Sequence, residues 1–468
     1  MTNRKSTKRA LLGSVMAMVL CLAMLVGATF AWFTDTASTG VNKIQAGNLD
    51  VQLVDENGNS LEGKTLEFKK AANAAEGEAV LWEPGCTYEL PAVYVKNNGK
   101  LALKYKVAIT GINGSAKLNE AIEWTIGDVA MGAEQHLKAG ESNEFTIKGH
   151  MKESAGNEYM NESIDGIAIT VAATQDTVEN DSLGNTYDKD AKYPIVAMDT
   201  LQELINNATE PVSAKLEGNI AGSLTVPQDK EVTLDLNGFT LTGGDSHAIL
   251  NHGTLCIKDS SGNGKIVASK ANTSALRNAA VCVIDGGTFT RAAGVDNKWH
   301  TVENFGTMTF NGGKVIAEDG QSFAIVNGWN YIDPGEQKAT MTINNIEMIA
   351  GPNGFKNCAG GTLTMNGGTL HCTGYWGLSN DSTGVATING GKIISDNYIA
   401  ISHGGAKMEI NGGTFTGPQG SLYVQNYAHD TVVKGGSYQN ETVEFMQYYC
   451  PDGYTATLKD GMVVVSEN

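Results

Sequence analysis

Six aromatic side chains in the second half of the chain carry the pattern richest in chemistry: Trp299, Trp329, Tyr331, Tyr375, Trp376 and Tyr398. Trp299, Tyr375 and Tyr398 each stand five positions before a recurring Asn or His, Trp376 adjoins Tyr375, and Trp329 and Tyr331 fall in an insertion. Aromatic faces along one edge of a rigid scaffold can stack on pyranose rings, so the pattern predicts a glycan-stacking edge. The same residues also suit corners that merely cover a core, because Trp and Tyr are commonly part-buried. Catalytic patterns are poorer. Calcium-assisted cleavage of uronans needs clustered carboxylates and a cationic base. Beyond the first ten residues the only guanidinium groups are Arg277 and Arg291, and no Asp column recurs along one face. In segment 395–405 (SDNYIAISHGG), Asn397 stands where a second carboxylate would be wanted. Inverting hydrolysis requires two carboxyl groups about 6.5–9.5 Å apart. No HExxH occurs, and the eight His are scattered from His136 to His429, which argues against a zinc peptidase. Asp55-Glu56-Asn57-Gly58-Asn59 has its Gly misplaced for a calcium loop and reads as a hairpin turn. The sequence thus predicts no catalytic, metal or cofactor-binding residues, with a polysaccharide lyase or glycoside hydrolase as the alternative.

The elements that must position the aromatics form a repeat. Turns led by Gly or Asn begin at 238, 263, 286, 312, 345, 367, 390, 412 and 435, each with an apolar residue three positions on. That column reads Leu241, Ile266, Phe289, Val315, Met348, Leu370, Ile393, Phe415 and Tyr438. A second column precedes most of the turns: Ile284, Phe310, Ile343, Met365, Ile388 and Ile410. A third, Ile249, Leu276, Val302, Ile325, Phe355, Leu378 and Ile401, lies two positions before Asn251, Asn278, Asn304, Asn327, Asn357, Asn380 and His403. Between the inward columns Arg277, Glu303, Lys356, Ser379 and Ser402 alternate to the other face. A period near 22 with three short strands is one coil of a parallel β-helix, here of about nine coils and roughly 40 Å long at strand spacing. Aligned Asn side chains can bond up and down such a stack. The one long spacing implies an outward insertion at 328–337. Thr200 and Glu203 form a capping box ahead of Leu204, Ile205 and Ala208, predicting a short helix over the first coil.

The rest of the chain is read from composition. It has 468 residues, Lys plus Arg 33 against Asp plus Glu 51, and a formal charge of −18, which disfavours a nucleic-acid partner. Residues 1–32 read as an export signal: Arg4, Lys5, Lys8 and Arg9, a charge-free apolar run, and a small-residue site near Ala31. Uncleaved, this segment would be the only membrane contact expected, being long enough to span. Six Cys remain, none in CxxC spacing, and most are expected as buried free thiols with room for one bridge. Strand runs at 93–96, 103–109 and 167–171, set between turn formers such as Asn98-Gly99 and Asn113-Gly114, give residues 33–178 as an antiparallel, jelly-roll-like sandwich. A short helix is expected at 118–124. Residues 179–194 read as an acidic linker, and 195–468 as the β-helix, closed by a hairpin near 453–466.

Residues 33–53 (FTDTASTGVNKIQAGNLDVQL), 82–107 (WEPGCTYELPAVYVKNNGKLALKYKV) and 173–188 (ATQDTVENDSLGNTYD) resemble the TasA family of exported Gram-positive matrix proteins, over about the first third of the chain. In that family the middle segment forms a Pro-Gly turn, a strand and an Asn-Gly hairpin. The resemblance implies export through a signal peptidase of the SipW type, and self-association into fibres by donation of the 33–53 strand. EVTLDLNGFTLTG, HAILNHGTLCIKDSSGNGKI and the NGGTF-like turns resemble right-handed parallel β-helix domains of surface proteins, a pectate-lyase-like fold. Segment 395–405 distantly resembles polygalacturonase-type glycosidases. The combined expectation is an all-β, secreted protein of the surface or biofilm matrix of a Gram-positive bacterium, structural or adhesive, with polysaccharide as a partner.

Overall fold

A computed structural model describes residues 34–38, 49–69, 81–110, 113–114, 118, 121–127, 132–159, 164–165, 168–176, 192–295, 298–318, 322–329, 335–425 and 430–468. Residues 1–32, expected as an export signal, most of the expected acidic linker, most of the 33–53 start and Tyr331 lie outside them.

The N-terminal part is built from antiparallel sheets. Strand Ala168–Gln175 lies between Thr34–Ser38 and Leu103–Thr110, and Val93–Asn97 lies between Val51–Val54 and Ser142–Phe145. Alternation sends Val93, Val95, Tyr105, Val107, Ile147 and Val171 into one core. Three expectations are corrected. Of the helix expected at 118–124, Leu118 is helical, but Ile122–Ile126 is a strand, because Ile122, Trp124 and Ile126 follow a two-residue period and pair with Ile147–Met151. Asn98-Gly99 makes no hairpin, since the strands on either side belong to different sheets. Buried Asn97 turns the chain between them, donating to the carbonyls of Leu101 (2.8 Å) and Leu137 (3.3 Å). Asn113–Gly114 is not a turn but pairs antiparallel with Ile164–Asp165.

The second part is an all-parallel, right-handed β-helix. Each coil contributes a strand to three parallel sheets, and the columns read from sequence stack in register. Leu241, Ile266, Phe289, Val315, Met348, Leu370, Ile393, Phe415 and Tyr438 are consecutive partners, all fully buried. Interior Asn251, Asn278, Asn304, Asn327, Asn357 and Asn380 form a continuous ladder, each Nδ2 donating to the next Oδ1 at 2.7–2.8 Å. The ladder ends on His403, whose Nδ1 accepts from Asn380 at 3.0 Å. A second ladder runs along the exposed turns with opposite polarity: Asn344, Asn366, Asn389 and Asn411 each donate back to the previous Asn, and Asn311 donates to Asp285. The turns need Gly. At Gly313 φ is +95°, and a Cβ would stand 2.9 Å from the Gly287 carbonyl oxygen of the preceding coil.

The helix Met198–Asn207 packs Leu201 and Ile205 against the first coil. It starts two residues before the expected capping box: Ala197 is the cap, and no side chain caps it, so Thr200 lies inside the helix. At the other end Thr442 caps Val443–Tyr448, and hairpin Tyr454–Lys459/Met462–Glu467 pairs antiparallel with Gly436–Gln439. The six described cysteines are free thiols.

Candidate functional site

The third sheet of the β-helix points Arg277, Glu303, Val326, Lys356, Ser379 and Ser402 outward as successive register partners. From Glu303 to Ser402 these outward side chains are nevertheless buried, Glu303 to 1%. Neighbouring rings roof the face. Phe323 packs with Val326 and Cys358 in a small cluster apart from the main core, and the Phe323 ring lies 5.1 Å from the Lys356 ammonium. On the opposite flank Phe305 meets Trp329, with centroids 5.4 Å apart, and the Arg277 guanidinium lies 4.8 Å over the Phe305 ring.

Charge on this face is internally paired. Ser274 donates to a Glu303 carboxylate oxygen at 2.7 Å, and Arg277 Nη1 stands 3.6 Å from it. Burial raises the Glu303 pKa, outweighing the opposing pull of Arg277, Ser274 and Trp299. His247 Nδ1 lies 3.9 Å from the same carboxylate but accepts the Ser274 backbone N–H at 3.0 Å. Burial together with Arg277 holds His247 neutral, its pKa down to about 4. His300, bonded to Ser322 Oγ at 2.8 Å, is pushed to about 4 by burial and by nearby Arg291. Lys356 pairs with Asp381 at 3.2 Å.

The corner entering this sheet carries four of the six aromatics. Tyr375, Trp376 and Tyr398 form a mutual cluster with centroids 5.8–5.9 Å apart, and Tyr375 is 55% exposed. Trp299, 37% exposed, occupies the same corner three coils earlier, roughly 14 Å away at strand spacing. Trp329 lies at the other edge of the sheet, half-buried and bridged to Ala359, so it is not brought to this corner. Buried polar residues fix the corner. Arg291 donates to the carbonyls of Trp299 and Phe323, and Ser395 donates to the Tyr375 carbonyl while accepting from Tyr398 N–H.

Segment 395–405 does not assemble an acid/base pair. Asp396 sits outside with His371 at 2.9 Å, whereas His403 is fully buried in the ladder. Among the described residues no group of three or more His, Cys, Asp or Glu is placed to hold a metal ion. Sequence reasoning placed Arg277, Glu303 and Lys356 outward but missed that Glu303 and Lys356 are buried, and it missed His247, Ser274 and His300 altogether. The available signal was the flanking column His247, Ser274, His300, Phe323 and Trp376, four positions before the Asn ladder. A scan against family models matched none, and neither curated proteins nor solved structures gave a similar chain.

Proposed function

We propose that this chain is an exported structural or adhesive protein of a bacterial surface or extracellular matrix, whose β-helix is a rigid, non-catalytic, glycan-binding rod. The observation that carries the reading is the aromatic corner of Trp299, Tyr375, Trp376 and Tyr398. Its rings are held by buried Arg291 and Ser395 on a scaffold with vertically registered coils. Fixed, part-exposed rings on one edge suit the apolar faces of a polymer's successive sugars. The TasA-like segments and the signal-like N-terminus support secretion from a Gram-positive cell through a SipW-type peptidase. Edge strand Thr34–Ser38, paired to Ala168–Gln175, is the element whose exchange between copies would build fibres.

One observation favours a polysaccharide lyase or hydrolase: Glu303 is a buried carboxyl with raised pKa, the property a general acid needs. Against it, Glu303 is 1% exposed and is engaged by Ser274 and Arg277 rather than facing a second carboxylate. A glycan microarray with the full chain and with a Tyr375→Ala/Trp376→Ala variant tests the main reading. Retention by the parent and loss of at least tenfold in the variant are expected; equal signals would overturn it.

A further inference from the structure

Arg277 is held on two sides. Its guanidinium lies over the Phe305 ring at 4.8 Å, and Nη1 faces Glu303 at 3.6 Å. The side chain remains 35% exposed. A guanidinium has five N–H donors in a planar fork, so one edge turned to Glu303 leaves donors to meet an incoming carboxylate or sulfate. Glu303 itself is 1% exposed and cannot meet a ligand. It also accepts a side-chain hydrogen bond from Trp299, so one buried carboxyl group orients both a cation and a part-exposed indole. Apart from Arg4 and Arg9 near the N-terminus, the only other arginine is Arg291, and it fixes the backbone of this same corner.

We propose that Arg277 and Trp299 form a subsite for an acidic sugar, the indole stacking on the ring and the guanidinium taking the carboxylate or sulfate. Glu303 acts as a positioning residue for both. This deepens, and rests on, the reading of the corner as a glycan-binding edge. It assigns the rod's ligand to acidic polysaccharides despite the chain's own charge of −18, because the cation that matters is local and long-range repulsion is screened within about 8 Å at physiological salt.

The test is calorimetric titration of the full chain with uronate, sialylated and sulfated oligosaccharides, each beside its neutral parent. At least one acidic member is expected to bind tenfold or more tightly than its parent. Arg277→Gln should erase that preference while leaving the neutral affinity within twofold, and Arg277→Lys should keep part of it. Because Arg277→Gln leaves Glu303 without its cation, Arg277→Gln/Glu303→Gln, whose amide oxygen at position 303 can still accept from Trp299, serves as the folded control and should likewise lose the preference for acidic sugars. Neutral and acidic sugars binding equally would overturn the acidic subsite and leave the glycan edge standing. No binding to any member would overturn both.

Discussion

Replacing Asn304 by Ala and, separately, Asn344 by Ala compares two rungs of similar geometry in opposite surroundings. Asn304 is fully buried: its Nδ2 donates to Asn327 Oδ1 (2.8 Å), Thr340 O (2.9 Å) and Gly306 O (3.1 Å), and its Oδ1 accepts from Asn278 (2.7 Å) and Gly306 N (3.2 Å). Alanine keeps the backbone but leaves Asn327 Oδ1, inside the fully buried ladder, and the part-buried Gly306 N–H without these partners. A buried group left unsatisfied costs about 1–3 kcal/mol, so with Asn327 Oδ1 near the middle of that range and Gly306 N–H at its lower end the loss is about 3 kcal/mol. Asn344 makes matching 2.8 Å bonds to Asn311 and Asn366, but on the surface, where water replaces them. Its removal should cost about 0.5 kcal/mol. Guanidinium unfolding followed by far-ultraviolet circular dichroism measures both. Native-state hydrogen exchange should place the Asn304→Ala opening in the adjoining coils, since each coil touches only its neighbours. Equal losses for the two variants, or a loss under about 1 kcal/mol for Asn304→Ala, would refute the ladder argument.

Acid sensitivity should trace to buried imidazoles. His300 has a folded pKa of about 4 against an ordinary 6.5, so its contribution is complete above pH 6.5 and is lost as pH falls through 4. The shift corresponds to about 3 kcal/mol. Glu303, with a raised pKa, works in the opposite sense, stabilising below its ordinary 4.5 and losing that contribution as pH rises through its folded value. His300→Gln should therefore flatten the loss of stability between pH 6.5 and 4, and an unchanged acid limb in urea titrations would contradict the assignment. Gly313→Ala should cost about 2 kcal/mol, combining the strain of a +95° φ with contact on the Gly287 carbonyl. Gly262→Ala, at φ +82° with nothing within 4 Å, should cost about 1 kcal/mol. Thermal melts that reverse this order would count against the coil-corner geometry.

The β-helix was legible because its signal is vertical. One residue type recurring near every 22 positions marks a column whatever the local propensity, and the Leu241–Tyr438 and Asn251–His403 columns stack as spaced. The exposed ladder of Asn311, Asn344, Asn366, Asn389 and Asn411 was equally present, one residue before the Gly or Asn that leads each turn, but was read only as turn chemistry. The candidate site was harder. Alternation tells which way Glu303 and Lys356 point but not that both are buried, Lys356 against the Phe323 ring, because that burial comes from residues of neighbouring strands and coils. The N-terminal errors have a local cause. Ile122 to Ile126 fits a strand period inside a stretch that also suits a helix, and pairing with Ile147–Met151 decides between them.

The most direct measurement incubates the full chain with an acidic polysaccharide that the titrations show it to retain, then recovers the polymer and compares its length distribution and end groups with the input. A rod that holds glycan without cutting it returns the polymer unchanged, with neither new reducing ends nor unsaturated ends. Time-dependent shortening, abolished by Glu303→Gln, would contradict the account and make the roofed face an active site.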